Sequence, residues 1–387
     1  MSYMIFRLQK AVKSNLTLIC MALALALSFG VLYLNARNSR TLTLEVQTAE
    51  NLAQEEDAVH KMQKDLSKYS KSGDAYKLTK ESIAENKGEI RKNQELLRLL
   101  KEKKWQQAYK HKIADIQKFK RLAQSEDKSD PELIASLNRE ILLFSYLKKH
   151  PQPYQTDQPS KGIQFLFNLN EIYLPIIFAL MGVFILSQLA TDSYRQRYDL
   201  TSLLPGSRLA DLGEKIAANF LTLLGVFLLI NLLAFILASL FYGLGSWDYP
   251  YLVYHWHGGK SYPAYIASWR LLAPALCLQL LLLLQLASLT ELIAKIIRDK
   301  FPTLLIVLLL TVGLNLCVYV IVPVTKVAQW LPSTYLNCLS VSSNSLAQQV
   351  NNQAIDFNHG VITLTVTIII TCFLLLLPSL GKRKRLA

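Results

Sequence analysis

The sequence predicts an all-α integral membrane protein: six transmembrane helices plus an extracellular helical bundle or coiled-coil domain between the first and second. Three observations carry this. Hydrophobic residues make up 51% of the 387 and charged residues only 18%, against about 25% charged in soluble domains. The charges are segregated, most lying between Arg37 and Lys161, with long stretches after Phe165 carrying almost none. Finally, six apolar stretches run over 16–34, 165–190, 217–242, 271–293, 303–323 and 361–378, and a bilayer core of about 30 Å takes about 20 helical residues to cross.

Residues 1–14 place Met4, Leu8 and Val12 on one helical face, with Arg7 and Lys10 elsewhere. That pattern suits an amphipathic helix lying in the headgroup region on the cytosolic side. A flexible basic flank is the plainer alternative. Arg7, Lys10 and Lys13 ahead of an apolar run resemble a secretory signal. The run is longer than a signal core, and Phe29 to Leu34 offers no small-x-small cleavage site, so 15–35 reads as an uncleaved first span.

The extracellular segment, 36–164, carries helical stripes. Leu52, Val59, Met62, Leu66 and Tyr69 step by sevens, threes and fours, and Ile83, Ile90 and Leu97 by sevens. Ile113, Ile116, Phe119 and Leu122 form a third stripe, and Ile134, Leu137, Ile141, Phe144 and Leu147 a fourth. Apolar stripes on charged helices predict three to five helices in an antiparallel bundle or coiled coil. Ser129-Asp130-Pro131-Glu132 reads as a helix start, with proline just inside the cap. Pro151 and Pro153 end the last stripe. A solvated charged stalk is the bland alternative.

Residues 165–380 hold five further spans, with a cytosolic loop over 191–215, outer loops over 243–270 and 324–360, and a basic cytosolic tail over 381–387. Basic residues set the orientation. Short segments on one side hold Arg7, Lys10 and Lys13, then Arg195, Arg197, Arg208 and Lys215, then Lys295, Arg298 and Lys300, then Lys382 to Arg385. Short loops on the other side hold only Lys260 and Lys326, with Arg270 at a boundary. Both termini are therefore expected in the cytosol, with the protein multi-pass in the plasma membrane. The net charge of +14 follows from this bias and from the large domain, and does not imply nucleic acid.

No catalytic motif is recognisable, so the chain is not read as an enzyme. Gly258-Gly259-Lys260-Ser261 superficially matches the end of a phosphate loop, but Tyr254 stands where its first glycine belongs. His255 and His257 lack a third ligand nearby in sequence and are not read as a metal site. They join Trp247, Tyr249, Tyr251, Tyr254, Tyr262 and Trp269 in an expected interfacial aromatic belt. Cys20, Cys277, Cys317 and Cys372 lie in spans and Cys338 in an outer loop, which provides no disulfide framework for the exported domain. Asn231, Gln279, Gln285, Ser288 and Asn315 are polar positions within spans. They either bond across helices or line a substrate path. Glu171 and Glu291 sit near opposite ends of their spans, which leaves little support for a dedicated cation site.

The loop after the second span reads Asp192, Arg195, Arg197, then Leu203, Leu204, Pro205, Ser207 and Arg208, with Lys215 following. It suggests a short charged helix, apolar along Leu200, Leu203 and Leu204, broken at Pro205-Gly206 and suited to contact a cytosolic partner. Here the chain resembles the permease subunits of type-two ABC exporters. Asp192, Leu203, Leu204, Pro205, Ser207, Arg208 and Lys215 match the order and spacing of that family's coupling loop. Asp192 replaces its usual glutamate, and Gln196-Arg197 its Gly-Thr pair. Trp330 to Leu336 resembles the family's short re-entrant outer helices. The resemblance covers the N-terminus and Phe165 onward, leaving the extracellular domain as an insertion.

The resemblance implies ATP-driven export by a dimer of permeases, two copies or a copy and a paralogue, each docking a separate ATP-binding subunit that holds ATP and Mg. The chain itself is expected to hold no cofactor. A path without fixed charge suits an amphipathic or peptide-like cargo. The alternatives are a cation or small-drug efflux pump, a mechanotransmission component acting through its extracellular domain, and a non-transporting multi-span surface or secretion-accessory protein.

Overall fold

A computed structural model describes residues 3–69, 73–125, 130–195, 198–199 and 208–377. Six helices are long and apolar enough to cross a membrane: Asn15–Thr41, Gly162–Thr191, Leu209–Tyr242, Ser268–Ile297, Lys300–Val320 and Phe357–Leu376. These are called the first to sixth spans. Large aliphatic and aromatic side chains stay exposed along them, among them Leu228, Leu232, Leu309, Ile369 and Phe373. In water such surface would be a liability; against lipid it is the expected outer face.

Helix α1 (Tyr3–Lys13) precedes the first span, separated from it by Ser14 in extended conformation. Four helices then form the domain: α3 (Leu44–Leu66), α4 (Asp74–Lys101), α5 (Trp105–Ser125) and α6 (Pro131–Lys149), with α2 naming the first-span helix. The Thr43 side chain caps α3 by accepting from Val46 N. Asp130 caps α6, with Pro131 in its first turn, where the sequence predicts a start. α3 packs along α4 and α5 along α6. The core gathers at the base, around Leu96, Leu100, Tyr109, Phe144 and Leu147. The upper α3–α4 hairpin buries little beyond Val59 and Ile83. The expected α5 stripe holds at its first half and is corrected at its second: Ile113 and Ile116 pack inward, whereas Phe119 and Leu122 are exposed, and Ala108, Tyr109 and Ala123 complete the inner face.

Two departures from an all-α chain are found. The loop after the third span is an antiparallel ribbon, β3 (Pro250–His257) with β4 (Lys260–Ala267); the two-strand ribbon before it in the chain, β1 (Tyr194–Arg195) with β2 (Tyr198–Asp199), is treated below. Gly258 and Gly259 make the β3–β4 turn at φ 56° and 78°, values that a tight hairpin demands and side chains resist. Trp247, Tyr262 and Trp269 stay exposed, while other aromatic residues here pack inward. Tyr249 beside the ribbon packs on the domain core, and Tyr251, Val253 and Ile266 pack with Ile163, Phe167 and Leu271 of the second and fourth spans. The Tyr249 hydroxyl accepts from Gln155 N at 2.8 Å and donates to Gln155 O at 3.1 Å; burial pushes this phenol well above its ordinary pKa, against the lowering effect of the Gln155 backbone.

The second span contains a π-turn, Leu169–Tyr173, just ahead of Pro175. Proline lacks the N–H that would bond the carbonyl four residues back, at Glu171. Asn337 Nδ2 supplies the missing donor, 2.6 Å from Glu171 O. Asn337 belongs to the loop before the sixth span, which folds into short helical turns, including Cys338–Ser342 and Ser345–Gln349, buried against the spans. Gly360 closes that contact: a Cβ there would lie 2.8 Å from the Tyr335 ring and 2.9 Å from a Leu278 methyl.

Candidate functional site

The loop predicted to couple the spans to a partner lies at the α1 end of the bundle. Its expected helix is corrected. The second-span helix ends at Thr191, and Tyr194 and Arg195 pair antiparallel with Asp199 and Tyr198. Tyr194 and Tyr198 are residues that favour strands and suit this extended pairing. Residues 208–215 are also not loop, because the third-span helix already begins at Arg208. Arg197, Leu203, Leu204, Pro205 and Ser207 lie outside the described residues, as does the tail at 381–387.

Around this ribbon the structure gathers charges that sequence spacing did not connect. Asp192 receives an ion pair from Lys10 of α1. The Arg298 guanidinium sits 6.0 Å from the Tyr194 ring centre. A cleft of about 590 Å³ opens between Thr191, Asp192 and Tyr194 on one side and Arg298, Asp299 and Lys300 on the other. Lys215 is buried and pairs with Asp211 at 3.0 Å, one turn back on its own helix.

Helix α1 forms where the sequence places it, and it also packs against the spans. Arg7 and Ala11 are buried, while Ile5, Phe6 and Val12 are exposed, so the face toward the protein carries a charge. Arg7 Nη1 donates to Glu291 Oε1 of the fourth span at 2.9 Å, and Nη2 donates to Leu189 O of the second at 2.6 Å. Asn219 Nδ2 of the third span donates to the same Glu291 oxygen at 2.8 Å. Met4 N donates to Glu214 Oε2 at 3.0 Å. One short helix thus ties three spans together, through the Arg7–Glu291 pair and the bonds to Leu189 and Glu214. The signal for it was a lone arginine in an apolar turn and a lone glutamate in an apolar span, 284 residues apart.

The polar positions inside the spans mostly bond across helices. Asn231 Oδ1 accepts from Asn170 Nδ2 at 2.6 Å, and Asn315 Nδ2 donates to Ser333 O at 2.9 Å. Ser288 accepts from Thr371 at 3.1 Å. Gln285 is buried, its carbonyl oxygen without a hydrogen-bond donor among the described residues. Gln279 lies with Asn170, Phe178 and Phe227 around a narrow cleft between the second, third and fourth spans.

At the opposite end, where the domain meets the spans, a cavity of about 240 Å³ lies between the end of the first span, the α4–α5 turn and the strap over 153–161. Trp105, Leu100 and Tyr154 give it an apolar wall. Trp105 stacks on Tyr109 at 6.4 Å, and Phe144 links Tyr109 and Tyr154 with centroids 5.5 Å apart on each side. Tyr109 donates to Gln152 O at 2.5 Å, fixing the ladder against the strap. Burial pushes the Tyr154 phenol up to about 12. Burial also lowers the Lys161 ammonium, which lines the cavity as well.

No family model matches this chain, no curated protein matches it, and no solved structure matches it.

Proposed function

We propose that the chain is the membrane-spanning subunit of an ATP-driven exporter in a bacterial plasma membrane, with both termini cytosolic. In this reading ATP and Mg are bound by a separate ATP-binding subunit, and two permeases, identical or paralogous, work together on an amphipathic or peptide-like cargo. The observation that supports it is the convergence of three elements at one end. Helix α1, the ribbon after the second span and the turn after the fourth meet through Lys10–Asp192 and Arg298–Tyr194 around an open polar cleft. A partner docked there would push on the second and third spans directly, and on the fourth through Arg298.

The test is co-purification in mild detergent. The wild type should retain an ATPase, and Leu203→Asp combined with Leu204→Asp should lose it while inserting normally, because two carboxylates would stand where an apolar contact is expected. A wild-type protein that purifies without any nucleotide-binding partner, and works in cells lacking every candidate ATPase, ends this reading. One observation favours mechanotransmission as a second reading. Only Leu42 and Thr43 separate the first-span helix from α3, so motion of that span reaches the extracellular domain through a two-residue joint.

A further inference from the structure

The cavity at the base of the domain combines features with no role in holding the fold together. Glu45, in the first turn of α3, and Lys161, just before the second span, both line it. Neither makes an ion pair among the described residues; Lys161 is half-buried, and Glu45 is exposed at the cavity mouth. The Gln155 side-chain carbonyl is buried and has no hydrogen-bond donor among the described residues. A half-buried ammonium and an orphaned buried carbonyl beside a fixed aromatic wall, with an exposed carboxylate at the mouth, are characteristic of a ligand site rather than of a packing defect. At about 240 Å³ it falls just below the usual range for drug-sized ligands, about 300–1,000 Å³.

We propose that this cavity binds a small zwitterion carrying an apolar group, such as a large apolar amino acid or a dipeptide. Lys161 would hold the ligand's carboxylate. Glu45 and the Gln155 carbonyl would accept from its ammonium group. Trp105, Leu100 and Tyr154 would take the apolar side chain. Ser160, next to Lys161, has its hydroxyl 3.4 Å from that of Ser39, so the ligand would sit where the first span, the second span and the domain join. Such a ligand would stiffen that joint. The proposal does not depend on the exporter reading, because binding here requires neither ATP nor a partner.

The test is calorimetric titration of the purified full-length chain, in detergent, with L-phenylalanine, L-leucine and Leu-Leu. Phenethylamine, which lacks the carboxylate, and 3-phenylpropanoate, which lacks the ammonium, serve as controls, with phosphoethanolamine as a lipid-headgroup probe. At least one zwitterionic probe should bind, with each single-charge control at least tenfold weaker. Lys161→Gln and Glu45→Gln should each weaken binding at least tenfold, since each removes a charge-assisted hydrogen bond to the ligand. Their ligand-free melting temperatures should match the wild type, which separates a lost contact from a lost fold. Absence of binding by every amino acid and dipeptide probe at millimolar concentration overturns the proposal. So does equal binding by either variant, and so does binding of phosphoethanolamine alone, which would assign the cavity to a lipid headgroup.

Discussion

Replacing Glu291 with leucine should be among the most damaging single changes in the bundle, and a second change should largely cure it. The Arg7 and Glu291 side chains are 6% and 4% exposed and lie 2.9 Å apart. Glu291→Leu leaves the Arg7 charge with only the Leu189 carbonyl among its partners named above, and strips Asn219 Nδ2 of its acceptor. Removing one member of a buried pair costs about 3–5 kcal/mol, whereas replacing both with apolar residues is often neutral. Arg7→Met with Glu291→Leu should therefore be more stable than either single variant, with a coupling energy of about 3 kcal/mol or more by the same reasoning. The assay is unfolding in mixed micelles titrated with denaturing detergent, followed by intrinsic fluorescence across all four proteins of the cycle. If the double variant is as unstable as the sum of the two singles, the pair is not coupled and the reasoning fails.

Three further outcomes are expected. Lys10→Ala should change stability by less than about 1 kcal/mol, because the Lys10–Asp192 pair is 48% and 41% exposed; a loss rivalling Glu291→Leu would mean that α1 is held by its surface charges. Gly360→Ala should cost about 1–3 kcal/mol in the same assay, since the new methyl meets Tyr335 and Leu278 atoms at 2.8 and 2.9 Å; a neutral result would show that the ring moves freely. Burial, followed by the Glu89 charge, raises the Asp115 carboxyl above its ordinary value. A raised carboxyl favours the folded domain below its unfolded pKa of about 3.9 and loses that contribution as pH rises through the folded value. Asp115→Asn should therefore raise the domain's melting temperature at pH 7 and leave it nearly unchanged at pH 3, as read by circular dichroism; the opposite trend would reverse the sign.

Hydropathy made the spans readable because lipid tolerates no alternative to a continuous apolar helix. Asp130-Pro131 announced α6 for a similarly local reason, since the cap and its proline need only neighbouring residues. The β3–β4 ribbon carried a local signal that the all-α reading passed over. Gly258-Gly259 sits between Tyr- and Val-containing runs, a hairpin signal, but those aromatic residues fit an interfacial belt equally well. What stayed hidden depends on long-range partners. Nothing near Arg7 says that it is buried, because the group that makes burial tolerable is Glu291 of the fourth span. The cavity at the domain base is similar, since Glu45, Trp105 and Lys161 meet only after three separate segments have packed.

The bond from Asn337 to the Glu171 carbonyl has a consequence for how the chain is made. The two residues are 166 positions apart. At synthesis rates of about 5–20 residues per second, the Asn337 side chain is made about 8–30 s after the carbonyl it donates to. During that interval an unpaired polar group in hydrocarbon would be costly. The second span is therefore expected to linger near water, or against the insertion machinery, until the loop before the sixth span has been made. Replacing Pro175 with alanine would restore the helix's own N–H and release the span from that delay.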